Sequence, residues 1–328
     1  MFSFSKNLQC SKNFSFFKKN IDILIAILIA VAAFLEICSQ RYLDIKNINA
    51  VMHGDVAQLY LSNMLFRWED WHGLSRIIST GFPDAGGTAS TGSLSGLGII
   101  LKLCKSIFGL SPFYQFNGWW VLINYVFQAI VAVFIFRKLF KEKVYIVLCS
   151  TFFILSPILI WRTYAHEMLV SHWLILATFY VYLNNKLTYK EWGLFSIISL
   201  IGLYTHPYFV PLTLAIFAAL VLQKIIDRKI NLKSLMIAGF LWCCVMVLGY
   251  FGLQSQGLSG EGGGWRLYSM NVNSLFNPAS IGSFFLKDLS LPEGQYEGFQ
   301  YLGFGIILAF ILTLPYLFLE SCLKKKCI

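Results

Sequence analysis

The chain alternates long apolar runs with short polar segments, and the runs have the length of a membrane crossing. A spanning helix needs about 20 apolar residues, each rising about 1.5 Å. Eight stretches meet or approach that length: residues 21–40, 113–136, 144–161, 168–184, 191–205, 208–225, 235–253 and 302–319. The fifth is short and relies on Tyr189 and Trp192 to reach the interface. Two further segments read as amphipathic helices. Over residues 55–71, Val56, Tyr60, Leu61, Met64, Leu65 and Trp68 line one side, while Asp55, Gln58, Ser62 and Glu69 line the other. Over residues 94–108, Leu94, Leu97, Leu101, Cys104 and Phe108 oppose Ser95, Lys102, Lys105 and Ser106. That pattern predicts a helix resting on the bilayer surface rather than crossing it. Between them, Gly81, Pro83, Gly86 and Gly87 predict an irregular connector.

These elements predict an all-α integral membrane protein with about eight transmembrane helices. Two interfacial helices lie in a large first extracytoplasmic loop, residues 41–112. A short segment, 1–20, precedes a transmembrane domain over 21–320, and a basic tail, 321–328, follows it. Residues 254–301 form a second long outer loop, because Gly262-Gly263-Gly264-Trp265 cannot be regular helix.

Charge fixes the expected orientation. With the N-terminus inside, the inner segments carry 17 of the 26 Lys and Arg residues, all in short stretches beside apolar runs. The positive-inside rule then puts both termini in the cytoplasm and the protein in the cell membrane as a multi-pass chain. Reading 94–108 as a span would invert every later segment and put the basic run 137–143 outside. Composition agrees with this assignment. Hydrophobic residues make up 57% and charged residues only 13%, against about 25% charged in soluble domains. The net charge of +10 lies in short loops, not on a soluble surface, so nucleic acid is excluded as a partner. Eight cysteines show neither a disulfide framework nor Cys-x-x-Cys spacing. The first apolar run lacks a small-x-small cleavage pattern and reads as an uncleaved span.

Few polar residues sit where chemistry could use them. Asp55 opens the first outer helix, where an Asp either caps the helix or presents a carboxylate as general base or metal ligand. Arg162 and His166, four apart, share a face if helical and suit a lipid phosphate; Glu167 beside them could instead make a local ion pair. His172 is expected one to two turns into the fourth span, as packing residue or functional group in equal measure. His206 precedes Pro207 at an outer hairpin, where a turn is the simpler role. Gln58 and Glu69 on the first outer helix, and Trp265, Tyr296 and Glu297 in the second outer loop, complete the candidate pocket. No P-loop, nucleophile elbow or His-Glu-x-x-His pattern is present.

The ordered series Gly54-Asp55-x-Ala57-Gln58-x-Tyr60-Leu61, Phe66-Arg67, Arg162 with His166, and His172-Trp173 resembles a bacterial family of uncharacterised membrane proteins with a GT-C glycosyltransferase-like core. His206-Pro207-Tyr208-Phe209, Tyr268-Ser269-Met270-Asn271 and Gly294-Gln295-Tyr296-Glu297-Gly298 extend it. The resemblance implies transfer of a sugar from a polyprenyl-phosphate donor to an extracytoplasmic acceptor. It implies Asp55 as base or ligand of a divalent cation such as Mg or Mn, and Arg162 and His166 near the donor phosphate. Two positions depart: Thr91-Gly92-Ser93-Leu94-Ser95 carries Gly92 where the family pattern has Asp and Ser95 where it has Pro. The resemblance therefore leaves open two rivals to the transferase: an inactive or accessory component of cell-envelope assembly, and, ranked last, a lipid or solute transporter.

Overall fold

The computed structural model describes residues 3–78, 86–87, 94–253, 270–279, 282–290 and 299–326. Apart from an antiparallel ladder of two residues per strand, β1 (Arg76–Ile77) and β2 (Gly86–Gly87), its regular structure is helical. Eleven α-helices are described. They are α1 (Ser3–Cys38), α2 (Gly54–Trp68), α3 (Ser95–Phe108), α4 (Asn117–Leu139), α5 (Lys143–Ile154), α6 (Pro157–Ala165), α7 (Trp173–Leu183), α8 (Tyr189–Thr205), α9 (Phe209–Ile226), α10 (Leu232–Leu253) and α11 (Phe304–Lys326). Five segments are long and apolar enough to cross a membrane: Lys19–Cys38, Asn117–Leu139, Lys143–Tyr164, Phe209–Ile226 and Leu232–Leu253. The helix α7, with 11 residues, and α8, with 17, fall short of that length on their own.

Local chemistry sets several boundaries. Non-helical backbone at Asn20 separates the polar start of α1 from its apolar part. Pro157 cannot donate to the preceding turn, so the third apolar run is divided into α5 and α6. Thr188 and Glu191 form a capping box that starts α8. A left-handed Leu94, whose N–H donates to the Thr205 carbonyl at 2.8 Å, pins the start of α3 to the end of α8.

The chain divides into two compact units. The first comprises residues 1–154 and 163–258. In it α1 packs on α4 and α5, α4 on α7, α7 on α8 and α9, and α8 on α9 and α10; α2 packs on α3, which packs on α8. At one end of α4, Arg137 grips the buried Asp22 of α1 through two hydrogen bonds of 2.6 and 2.7 Å. Further along the helix, Asn124 Oδ1 accepts from Ser171 Oγ and Trp173 Nε1, tying α4 to the start of α7. The second unit comprises residues 155–162 and the described part of 259–328. Its core gathers Phe299, Tyr301 and Ile307 with Trp161 and Leu286.

The two amphipathic face assignments hold in part, with Val56, Tyr60 and Leu94 buried and Asp55 and Gln58 exposed as expected, and are corrected elsewhere. In α3, Ser95, Gly98 and Lys102 are buried, while Ile100, Leu103, Ile107 and Phe108 are exposed. In α2, Ser62, Asn63 and Arg67 are buried, while Leu61 and Trp68 are exposed. Each helix thus turns some polar residues toward the protein, alongside apolar ones such as Val56, Leu59, Tyr60 and Phe66 of α2. The reason is pairing: Lys102 Nζ lies over the rings of Phe66 and Trp71, at 4.1 and 4.8 Å, and donates to the Asp70 carbonyl at 3.0 Å. Polar side chains that find such partners inside can be buried without losing their hydrogen bonds. The 14 residues of α3 rise only about 21 Å, short of the roughly 30 Å hydrocarbon core.

Candidate functional site

The residues that could do chemistry converge just beyond the end of α1, in the first unit. After Cys38 the chain makes two 3-10 turns, Gln40–Leu43 and Ile48–Val51, and then enters α2. His53 occupies the N-cap of α2 without a side-chain capping bond, and Asp55 lies inside the first turn. Its carboxylate instead reaches His166, whose Nδ1 stands 2.8 Å from Asp55 Oδ2. The Asp55 side chain is 49% exposed and that of His166 14%. Reaction partners could therefore approach the carboxylate while the imidazole holds it from behind.

His166 can reach across because α6 stops at Ala165. His166 has non-helical backbone and leads into a 3-10 turn, Glu167–Leu169. The expectation that Arg162 and His166 share a helical face is corrected by that break. Arg162 lies in the last turn of α6, half-buried, within the second unit.

Glu167 points the opposite way from His166 and is buried. Its Oε1 accepts from the Tyr42 hydroxyl and its Oε2 from Asn117 Nδ2 at 2.6 Å. The Trp120 indole N–H donates to the Glu167 carbonyl at 3.0 Å. The expected local ion pair is thus replaced by an uncharged cage drawn from the 3-10 turn after α1 and the first turn of α4. Burial pushes the Glu167 carboxyl up to about 7, and the bonds from Tyr42 and Asn117 restrain the rise. Burial, then the adjacent Glu167 charge, push the Tyr42 phenol well above its usual range, so it remains a donor.

A cavity of about 260 Å³ opens beside this cluster, lined among others by Cys38, Arg41, Tyr42, His53, Thr163 and Tyr164. Its volume is just below the ~300 Å³ at which ligand pockets usually start. It suits a headgroup rather than a whole lipid. Arg41 and His53 give its rim cationic or imidazole character, and both are exposed.

The other expected site residues fall elsewhere or do structural work. Gln58 is exposed one turn along α2 from Asp55. Glu69 ends α2, and its Oε2 accepts from the Ile78 N–H at 2.7 Å. His172 is the N-cap of α7, after the 3-10 turn Glu167–Leu169 and within the apolar segment Glu167–Leu183. His206 ends α8, and its Nδ1 accepts from the Tyr208 N–H at 3.2 Å, the turn role expected of it. Trp265, Tyr296, Glu297 and Gly92 lie outside the described residues.

A family model matches residues 27–326, from within α1 to the last turn of α11. The chain belongs to that family, described as a domain of unknown function (DUF6311). The DUF6311 match takes in both units and every residue of the cluster around Asp55, His166 and Glu167. No curated protein and no solved structure matches the chain.

Among the described residues, no three His, Cys, Asp or Glu side chains gather as a metal site. One carboxylate and one imidazole, already engaged with each other, fall short of the set that a divalent ion takes. A metal therefore does not fit the described donors.

Sequence reasoning paired Asp55 with His166 only through the resemblance, and it missed the cage of Tyr42, Asn117 and Trp120 altogether. A signal for the cage existed. Asn117 stands at the boundary of an apolar run and Tyr42 just beyond one, where polar groups need partners.

Proposed function

We propose that this protein is a GT-C-type glycosyltransferase of the cell membrane, with eight spans and both termini in the cytoplasm. It takes a sugar from a polyprenyl-phosphate donor and gives it to an extracytoplasmic acceptor. The observation that carries this reading is the Asp55–His166 pair, a half-exposed carboxylate oriented by an imidazole 2.8 Å away, beside a headgroup-sized cavity. Asp55 removes the proton from an acceptor hydroxyl as its oxygen bonds to the anomeric carbon. The bond from that carbon to the phosphate oxygen breaks, and the polyprenyl phosphate leaves with the electron pair. Arg41 and His53 at the cavity rim can take up the negative charge that develops there.

Purified protein in nanodiscs, supplied with polyprenyl-phosphate sugars and a set of sugar acceptors, should release polyprenyl phosphate in step with product. Asp55→Asn should lower that rate by about 10²- to 10⁴-fold, the usual contribution of a general base. Full activity in Asp55→Asn would sink the assignment. A second reading, an accessory component without turnover, is favoured by Gly92 standing where the resembling family has an acid. Co-purification with an envelope enzyme, and no turnover with any donor, would select it.

A further inference from the structure

A second cavity, unconnected with the proposed chemistry, lies in the membrane-spanning part of the first unit. Both α9 and α10 pack against α8, yet they scarcely pack against each other. A slot of about 760 Å³ remains between them, floored by α8. Aromatic rings build its floor: Phe195 stacks on Phe217 at 4.0 Å and on Trp242 at 5.6 Å, and Trp192 meets Phe217 edge-on at 4.9 Å. The Trp242 indole N–H on that floor donates to Ser199 Oγ at 3.2 Å. Small residues, Ala218 and Gly239 among them, keep the rim low, and a Cβ at Gly239 would meet nothing within 4 Å.

The slot runs along α9 from Leu214 to Ile225 and reaches one end of these helices. Trp192 is in the first turn of α8, Ile225 in the last turn of α9, and Gly239 two turns into α10. That end carries the basic residues Lys190, Lys224, Arg228, Lys229 and Lys233, of which all but Lys224 are exposed. Lys224 is turned to Asn185, and Lys229 pairs with Asp227 at 3.2 Å. Arg228 follows the Asp227 C-cap of α9, and Lys233 stands six residues before Gly239 in α10, about 9 Å at helical rise. An apolar slot open to hydrocarbon and topped by cations complements one kind of molecule, a lipid with an anionic head.

We propose that this slot is a binding site for one anionic glycerophospholipid of the leaflet next to the 227–233 turn. An acyl chain lies against Trp242 and Phe217, and the phosphate rests on Arg228 and Lys233. The site is independent of the transferase reading.

The test reconstitutes the full chain in nanodiscs of equal phosphatidylglycerol and phosphatidylcholine, extracts it, and counts retained lipids by native mass spectrometry. One phosphatidylglycerol per chain should survive, in preference to phosphatidylcholine. Arg228→Gln and Lys233→Gln should each lower that preference about fivefold, as expected for one basic group near an anionic lipid. Gly239→Leu and Ala218→Phe, two independent fillings of the slot, should abolish retention in whichever folds, as judged by size exclusion and thermal unfolding. Equal retention of the two lipids would overturn the proposal. So would unchanged retention in the filled variants, or a lipid-free dimer in place of a lipid-bound chain.

Discussion

Glu167 is a buried acid whose carboxylate takes its hydrogen bonds from two uncharged donors, Tyr42 and Asn117. With no cation in that cage to offset burial, its folded-state value rises to about 7 from an ordinary 4.5. The folded state therefore binds a proton more tightly than the unfolded chain does. The resulting stability is fully present below about pH 4.5 and is lost as pH rises through 7. Thermal unfolding of the detergent-purified protein should show a melting temperature that falls between pH 5 and 8. Glu167→Gln should flatten that slope, since an amide keeps its place in the cage without titrating. The lost stability is on the order of 3 kcal/mol at pH 8. Lys102 carries the opposite sign. Burial pulls its ammonium down to about 8 against the pull of Glu69, so folding favours its neutral form as pH rises. The buried Arg67 is also costly: Nη2 donates to the Tyr114 carbonyl at 2.9 Å, while Nε and Nη1 have no partner among the described residues.

At the scale of elements, the site depends on how closely the start of α4 approaches the turn after α1. A Cβ on Gly118 would stand 2.0 Å from the Tyr42 carbonyl oxygen, a backbone atom with no freedom to swing aside. Gly118→Ala should push the 3-10 turn that carries Tyr42 away from Glu167 and destabilise the protein by about 1–3 kcal/mol. The melting temperature should fall, and under the proposed function transfer should fall with it; an unchanged melting temperature would refute the close approach. This contact was not legible in the sequence, where Gly118 lies within an apolar run and shows nothing of its neighbour. The faces of α2 and α3 were illegible for a related reason. A wheel assumes that polar means solvent, but Ser62, Asn63, Arg67 and Lys102 all point inward. Their partners come from α2 itself, from the segment after it, and from the segment leading to α4.

At the scale of the whole molecule, the proposed threading makes one sided prediction. Asn49 lies in the segment before α2, Lys105 on α3, and Lys141 between α4 and α5. Single cysteines at Asn49 and Lys105, in a background lacking native cysteines, should react with a membrane-impermeant maleimide added to intact cells. A cysteine at Lys141 should react only after the membrane is opened. Labelling at positions 49 and 105 from opposite sides would mean that the chain crosses the bilayer between them, and the proposed orientation would fail.

The sequence alone determined what depends on composition and period. Apolar runs of spanning length require lipid, and several of them returned as helices at nearly the expected positions. A break at Pro157 and a capping box at Thr188 were also local properties, set within a few residues. Tertiary structure decided where polar side chains turn once a protein partner competes with water. It joined Asp55 to His166 across 111 positions of chain, and it buried Glu167 among donors from two other elements. Such pairings depend on where distant backbones meet, and no periodicity along one chain encodes that.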